Sequence, residues 1–187
     1  MIIVCSLKDL ENLCESVKPS HVISVIDPGY EPETPHGVNY HLKLGFDDII
    51  EVNKNNQIYR LNTDEVPQLP PNNNHTDSII KFSKSWDKSK PIVIHCWCGV
   101  SRSMAVATYL MCKEDISDID KNIRYMRSIA PHANPNKVLI KLFENSLQLD
   151  DQITRALVKY PHTKAYDCSV NFAPITIFNI NDMKGFK

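Results

Sequence analysis

No stretch of this 187-residue sequence approaches the ~18 consecutive apolar residues that a bilayer crossing needs, and Ile92-Val93-Ile94 is far too short. The start offers no basic leader either. Met1-Ile2-Ile3-Val4-Cys5 is apolar but meets charge at Lys8 and Asp9, which is unlike a signal peptide and reads as a first strand. A cytoplasmic protein is therefore expected, with no membrane insertion. The six cysteines, Cys5, Cys14, Cys96, Cys98, Cys112 and Cys168, have no export signal to place them in an oxidising compartment, so free thiols are expected rather than three disulfides. Neither sign of charge is in excess: 21 Lys and Arg stand against 22 Asp and Glu, for a formal net charge of -1. That balance excludes the basic surplus of a nonspecific nucleic-acid binder, and no nucleic-acid partner is expected. A hydrophobic fraction of 42% excludes a disordered chain. The length suits one domain with a sizeable core.

What is present reads as strands separated by helices. Val22 to Ile26 is a short apolar run closed by Asp27-Pro28-Gly29, a strand and then a turn. His41 to Phe46 alternates, as a strand with one covered face does, and ends at Asp47-Asp48. From Glu51 to Asn74 the chain is polar and broken by Pro67, Pro70 and Pro71, a long loop of the kind that is often functional. Ile79, Phe82 and Trp86 give one face of a helix over about 76–88, capped by Asn74 or Thr76. Ile92-Val93-Ile94 fits a strand buried on both faces by helices, the place of a central strand in a parallel sheet. A helix follows over 101–112. Ser117 with Asp120 resembles a capping box for the next one, and Asn134-Pro135 looks like a cap and first helical residue for a helix through about Leu149. A short helix is expected over 153–160, and the alternating Thr176 to Ile180 could add one strand to an uneven tail beginning at Pro161. The expected fold is α/β: a mostly parallel central sheet flanked by helices, with ligands bound beyond the carboxyl ends of the strands.

One nine-residue stretch carries the chemistry: His95-Cys96-Trp97-Cys98-Gly99-Val100-Ser101-Arg102-Ser103. It stands between a buried strand and a helix. A phosphate dianion needs many converging donors, and Trp97, Cys98, Gly99, Val100, Ser101 and Arg102 supply them if the segment curls with its N–H groups inward. Gly99 gives the curl a conformationally permissive position. Arg102 adds a planar fork of donors that stays charged throughout. The same donors favour the thiolate form of Cys96, which is the form that attacks phosphorus. Ser103 is placed to hydrogen-bond the sulfur when it leaves. His95, on the opposite strand face, is given an orienting role through neighbouring backbone. The leaving oxygen also needs an acid. No carboxylate lies in the motif, so Asp48, Asp47 and Asp64 are the candidates. Asp48 is preferred because it closes a strand on the catalytic edge, while Asp64 could be delivered by a mobile loop.

These residues resemble the signature of the cysteine-based protein tyrosine and dual-specificity phosphatases, matched at His95, Cys96, Gly99, Arg102 and Ser103. More narrowly, His41 to Ile49, His95 to Ser103, and Ser128 to Asn136 resemble small tyrosine phosphatase-like proteins of alphaproteobacteria. The likeness covers about Met1 to Leu149. It implies a protein tyrosine phosphatase-like fold over residues 1–160, with 161–187 a tail that could dock on it. It further implies Cys96 as nucleophile, Arg102 as transition-state stabiliser and an upstream aspartate as acid, with no cofactor and no metal. Asp48 matches the family's Asp-Ile pair, and Asp64 the spacing seen in compact dual-specificity enzymes. Cys98 departs from the small residue expected there and raises a reversible Cys96–Cys98 disulfide.

The implied partner is a phosphorylated protein, with phosphotyrosine preferred, or a small phosphate ester such as a phosphoinositide. Lys54, Arg60 and Arg127 are candidates to extend the site. A catalytically weak phosphate-recognition module is the main alternative. A zinc site from His95, Cys96 and Cys98 lacks a second clustered pair of ligands. A sulfurtransferase loop fits the spacing to Arg102 less well.

Overall fold

In the computed structural model, residues 1–49, 59–60, 63–166 and 171–187 are described, with 59–60 and 63–67 described by backbone alone. Two strands of wholly buried residues, β1 (Ile2–Ser6) and β6 (Ile92–Cys96), run parallel at the centre of a five-stranded sheet. β2 (His21–Ile26) lies parallel on the other side of β6, and β3 (Tyr40–Gly45) parallel beyond it. β7 (Thr176–Phe178) closes the far edge antiparallel to β1, giving the order β3-β2-β6-β1-β7. Unbroken apolar strands need cover on both faces. α1 (Leu10–Val17) packs Leu10, Leu13 and Cys14 against Ile3, Cys5, Val22 and Val93 on one face. The other face carries the larger core, into which α3 (Arg102–Glu114) sends a continuous series of buried residues.

Around α3 stand α2 (Asn73–Ser83), α4 (Ile119–Ile129), α5 (Lys137–Leu147) and α6 (Gln152–Lys159). Tyr109 of α3 stacks on Phe143 of α5 with ring centroids 4.3 Å apart. The tail is part of this body. Phe178, together with Ile180 and Met183 of α7 (Ile180–Gly185), joins the larger core, and the Tyr125 hydroxyl both donates to the Asn179 carbonyl and accepts from its N–H.

Several helix boundaries differ from those expected. α2 begins three residues early because Asn72, not Asn74 or Thr76, accepts from the first-turn N–H groups, and His75 closes a capping box. It ends at Ser83, so Trp86 is buried from the following turn, anchored by its indole N–H to the Lys90 carbonyl at 2.8 Å. Asp118 rather than Ser117 caps α4, since Ser117 bonds instead to Asp115. α5 starts at Lys137 behind the cap Asn136, which leaves Asn134-Pro135 in the preceding loop. The polar stretch expected to be loop contains an antiparallel pair, β4 (Tyr59–Arg60) and β5 (Thr63–Pro67). Among the described residues no helix is long and apolar enough to cross a membrane.

Candidate active site

β6 delivers Cys96 to the carboxyl edge of the sheet, and α3 begins six residues later at Arg102. The intervening loop is shaped from outside, through its carbonyls. The Trp97 carbonyl accepts from Leu7 N at 3.2 Å, Cys98 from Ala173 N at 3.1 Å and Val100 from Asn134 N at 3.0 Å. Ser101 accepts from Ala105 N at 2.9 Å and Asn136 N at 3.3 Å. Among the described residues, the backbone N–H groups of Trp97, Gly99, Val100 and Ser101 donate to no other protein group. Carbonyls pinned outward leave such N–H groups available to a common anion, the geometry of a nest. Gly99 permits the curl, with φ at +74°. A Cβ there would stand 3.1 Å from the Cys5 carbonyl carbon, so the loop also needs glycine for its close approach to β1.

Cys96 lies at the base of this curl, 2% exposed, with its sulfur 3.1 Å from the Ser103 hydroxyl. Arg102 is as deeply buried. Its Nη1 donates to Asp27 Oδ1 at 2.6 Å and to the Phe46 carbonyl at 2.5 Å, while its Nε, 3.9 Å from Asp48 Oδ2, has no hydrogen-bond partner among the described residues. A buried donor kept without a partner is unusual in a folded protein. The second oxygen of Asp27 accepts from the Trp97 indole at 2.9 Å, and Tyr30 meets that indole edge-on at 5.2 Å. One carboxylate thus fixes both the arginine and the side chain that follows the cysteine.

The three candidate acids have different surroundings. Asp48 is at the loop, about one-third exposed, its Oδ1 accepting from Ser101 Oγ and Asn136 Nδ2 at 2.7 Å each. Asp47 is turned into the fold, where its Oδ2 accepts from Leu69 N at 2.6 Å. Asp64 lies on β5, and its side chain is outside the described residues. Lys54 and the Arg60 side chain are outside them too. Arg127 donates from Nε to the Tyr160 carbonyl and from Nη1 to the Ala133 carbonyl.

His95 points to the opposite face. Its Nδ1 lies 3.4 Å from the Cys96 carbonyl and its Nε2 2.5 Å from Ser24 Oγ, which in turn lies 2.6 Å from His41 Nε2. Burial pushes both histidines down to about 4, with Lys43 adding to the effect on His41. Burial drives three buried thiols the opposite way, Cys14 up to about 11, Cys112 up to about 12 and Cys5 higher still, which marks them as inert core residues. Cys98 is half-buried, and Cys168 lies outside the described residues. No group of three or more His, Cys, Asp or Glu side chains that could hold a metal ion occurs among the described residues.

Sequence reasoning brought Cys96, Arg102, Ser103 and Asp48 to one place, and the structure assembles them there. It missed Asp27, Ser24 and the caps Asn72 and Asn136. Asp27 carried a usable signal, because it closes a buried strand on the same sheet edge as Asp48.

The sequence matches the catalytic domain of dual specificity phosphatases over residues 35–146. No curated protein sequence matches it. Among solved structures the fold is similar to DUSP15, at 17% identity and a TM-score of 0.58, covering 87% of this chain and 94% of that one. It is similar also to human DUSP28, at 16% identity and a TM-score of 0.56, over 79% and 94% of the two chains. A third similar structure is that of PTPMT1 in complex with PI(5)P, at 13% identity and a TM-score of 0.56, over 83% and 93%. At these identities the structural likenesses speak for the fold, and the sequence match for the family.

Proposed function

Because this chain belongs to the dual specificity phosphatase family, whose members are cysteine-dependent phosphatases, we propose that it hydrolyses protein phosphotyrosine with Cys96 as the nucleophile. The observation that carries this reading is the loop itself. Its carbonyls are bonded outward while Arg102 Nε is buried with no hydrogen-bond partner among the described residues, so the donors around the Cys96 sulfur suit a phosphoryl group.

In the first step the sulfur attacks phosphorus as the bond to the leaving oxygen breaks. Arg102 and the inward N–H groups hold the three remaining oxygens, and Asp48 gives its proton to the leaving group. In the second, water attacks the thiophosphate while Asp48 takes the water's proton. The sulfur departs as thiolate, received by the Ser103 hydroxyl 3.1 Å away. The depth of Cys96 supports an aryl phosphate over the shorter phosphoserine, and the aromatic pair Trp97 and Tyr30 stands beside the loop to flank such a ring. A phosphoinositide is the second reading, favoured by the similarity to the PI(5)P-bound structure.

Steady-state hydrolysis of an aryl phosphate, a phosphotyrosine peptide and a short-chain phosphoinositide tests both readings. Cys96→Ser is expected to abolish turnover, and Asp48→Asn to lower kcat by roughly 10²- to 10³-fold and remove the basic limb of the pH profile. Loss of that limb in Asp64→Asn instead would move the acid to the other strand. A folded parent that binds phosphate but turns over none of the three substrates would make the chain a recognition module.

A further inference from the structure

The five polar groups behind Cys96 have only one consistent assignment of protons. The Cys96 carbonyl can only accept, so His95 Nδ1, 3.4 Å away, carries the hydrogen. In the neutral ring Nε2 is then an acceptor, and the Ser24 hydroxyl, 2.5 Å away, must donate to it. Having given its one proton there, Ser24 Oγ accepts from His41 Nε2 at 2.6 Å, which leaves His41 Nδ1 to accept from the Thr34 hydroxyl at 3.1 Å. Every bond points the same way, from Thr34 at the surface to the backbone of Cys96.

The register explains how the rings meet. Ser24 and His95 are paired residues of the parallel strands β2 and β6, and His41 comes from β3 on the other side of β2. All three are on the sheet face away from the Cys96 side chain, where residues alternate.

We propose that Ser24 and His41 are positioning residues for the phosphatase reaction: they hold His95 in the tautomer that donates to the Cys96 carbonyl. A hydrogen bond to that carbonyl polarises the peptide joining Cys96 to Trp97 and strengthens the Trp97 N–H as a donor to the thiolate and to the phosphoryl oxygens. If Ser24 does not donate, His95 takes the other tautomer, Nδ1 presents a lone pair to the carbonyl oxygen, and the bond is lost. His41 ensures that Ser24 does donate, by occupying its lone pair. The charged groups that bear on the two rings are Arg102 for His95 and Lys43 for His41. The proposal rests on Cys96 being the nucleophile.

The test is alkylation of Cys96 by iodoacetamide, followed on the Cys96 peptide by mass spectrometry so that Cys98 does not contribute. It compares the parent with Ser24→Ala, His41→Leu and His41→Gln, whose amide can still donate to Ser24. Ser24→Ala and His41→Leu are expected to slow alkylation about tenfold near pH 6 while leaving the rate near pH 9 within about twofold of the parent, and His41→Gln to behave as the parent. Equal slowing at both pH values would reduce the chain to a structural role and overturn the proposal, as would unchanged rates. His41→Gln behaving as His41→Leu would overturn the direction assigned to the bonds. If Ser24→Ala does not fold, the two His41 variants decide alone, since His41 is only part-buried on the outermost strand. The nucleophile is tested separately: turnover surviving in Cys96→Ser would sink that reading, whatever the alkylation rates.

Discussion

Asp27 binds two donors with its two oxygens, Arg102 Nη1 and the Trp97 indole, and so fixes the approach of the guanidinium that faces the loop. Asp27→Asn keeps a hydrogen-bond acceptor but removes the charge. It is expected to lower kcat/KM for an aryl phosphate about tenfold, equivalent to ~1.4 kcal/mol of transition-state stabilisation, in steady-state kinetics. Arg102 is deeply buried, so removing the charge of its close partner should also lower the urea midpoint. Its one signal in the sequence, a place at the end of a buried strand, was masked by its neighbours: Asp27-Pro28-Gly29 carries a complete local explanation as a turn, and nothing local says that an arginine 75 positions away points at it. Cys96, Arg102 and Ser103 were legible because they sit within eight residues of one another. Gly99 belongs with them. Gly99→Ala must adopt a φ of +74° with its new methyl 3.1 Å from β1, so a loss of ~1–3 kcal/mol in urea unfolding is expected, together with loss of turnover.

The buried strands β1, β2 and β6 and the helix α3 could be read from apolar pattern alone, because each is enclosed on all sides and tolerates little else. α1 could not: its apolar positions fill only a little over two turns, too few for a period to stand out. Caps were misplaced because Asn, Ser and Asp cluster at three of the helix starts, and which of them caps depends on side-chain direction. Asn136 shows what depends on that choice. Its Oδ1 accepts from Leu139 N to start α5, while its amide donates to Asp48 and to the Ile49 carbonyl. Asn136→Ala is expected to cost ~1–2 kcal/mol in urea unfolding, the loss of a cap, and also to lower kcat by freeing Asp48. Asn136→Ser, still able to cap but too short to brace Asp48, should recover more stability than activity. β7 was visible as an alternating run, but its partner was not. It pairs with a strand some 170 residues earlier in the chain, and Phe178→Ala, by emptying a site 1% exposed, is expected to cost ~3–5 kcal/mol.

At the scale of the whole molecule, burial of histidines sets the response to acid. His95 and His41 are held near 4, and His21, His75 and His132 are also pushed down by burial from the ordinary 6.5. The unfolded chain takes up protons as pH falls below about 6.5, whereas the fold resists them, so this contribution to stability is complete above ~6.5 and drains away towards pH ~4. Fully buried His95 alone adds a slope of up to about 1.4 kcal/mol per pH unit in that window, measurable as a falling urea midpoint. The carboxylates Asp115 and Asp151, held low by Lys121 and Lys141, add their loss only below about pH 4. The outward bonds of the loop have a different consequence, one of timing. Leu7, Asn134, Asn136 and Ala173 reach the loop from parts of the chain roughly 90 residues before it to 75 after it. Helices can form early from local contacts, but these closures are long-range and slow to be made. During refolding, the return of turnover should therefore trail the return of helical circular dichroism, because the last docking event is the one that gives the loop its shape.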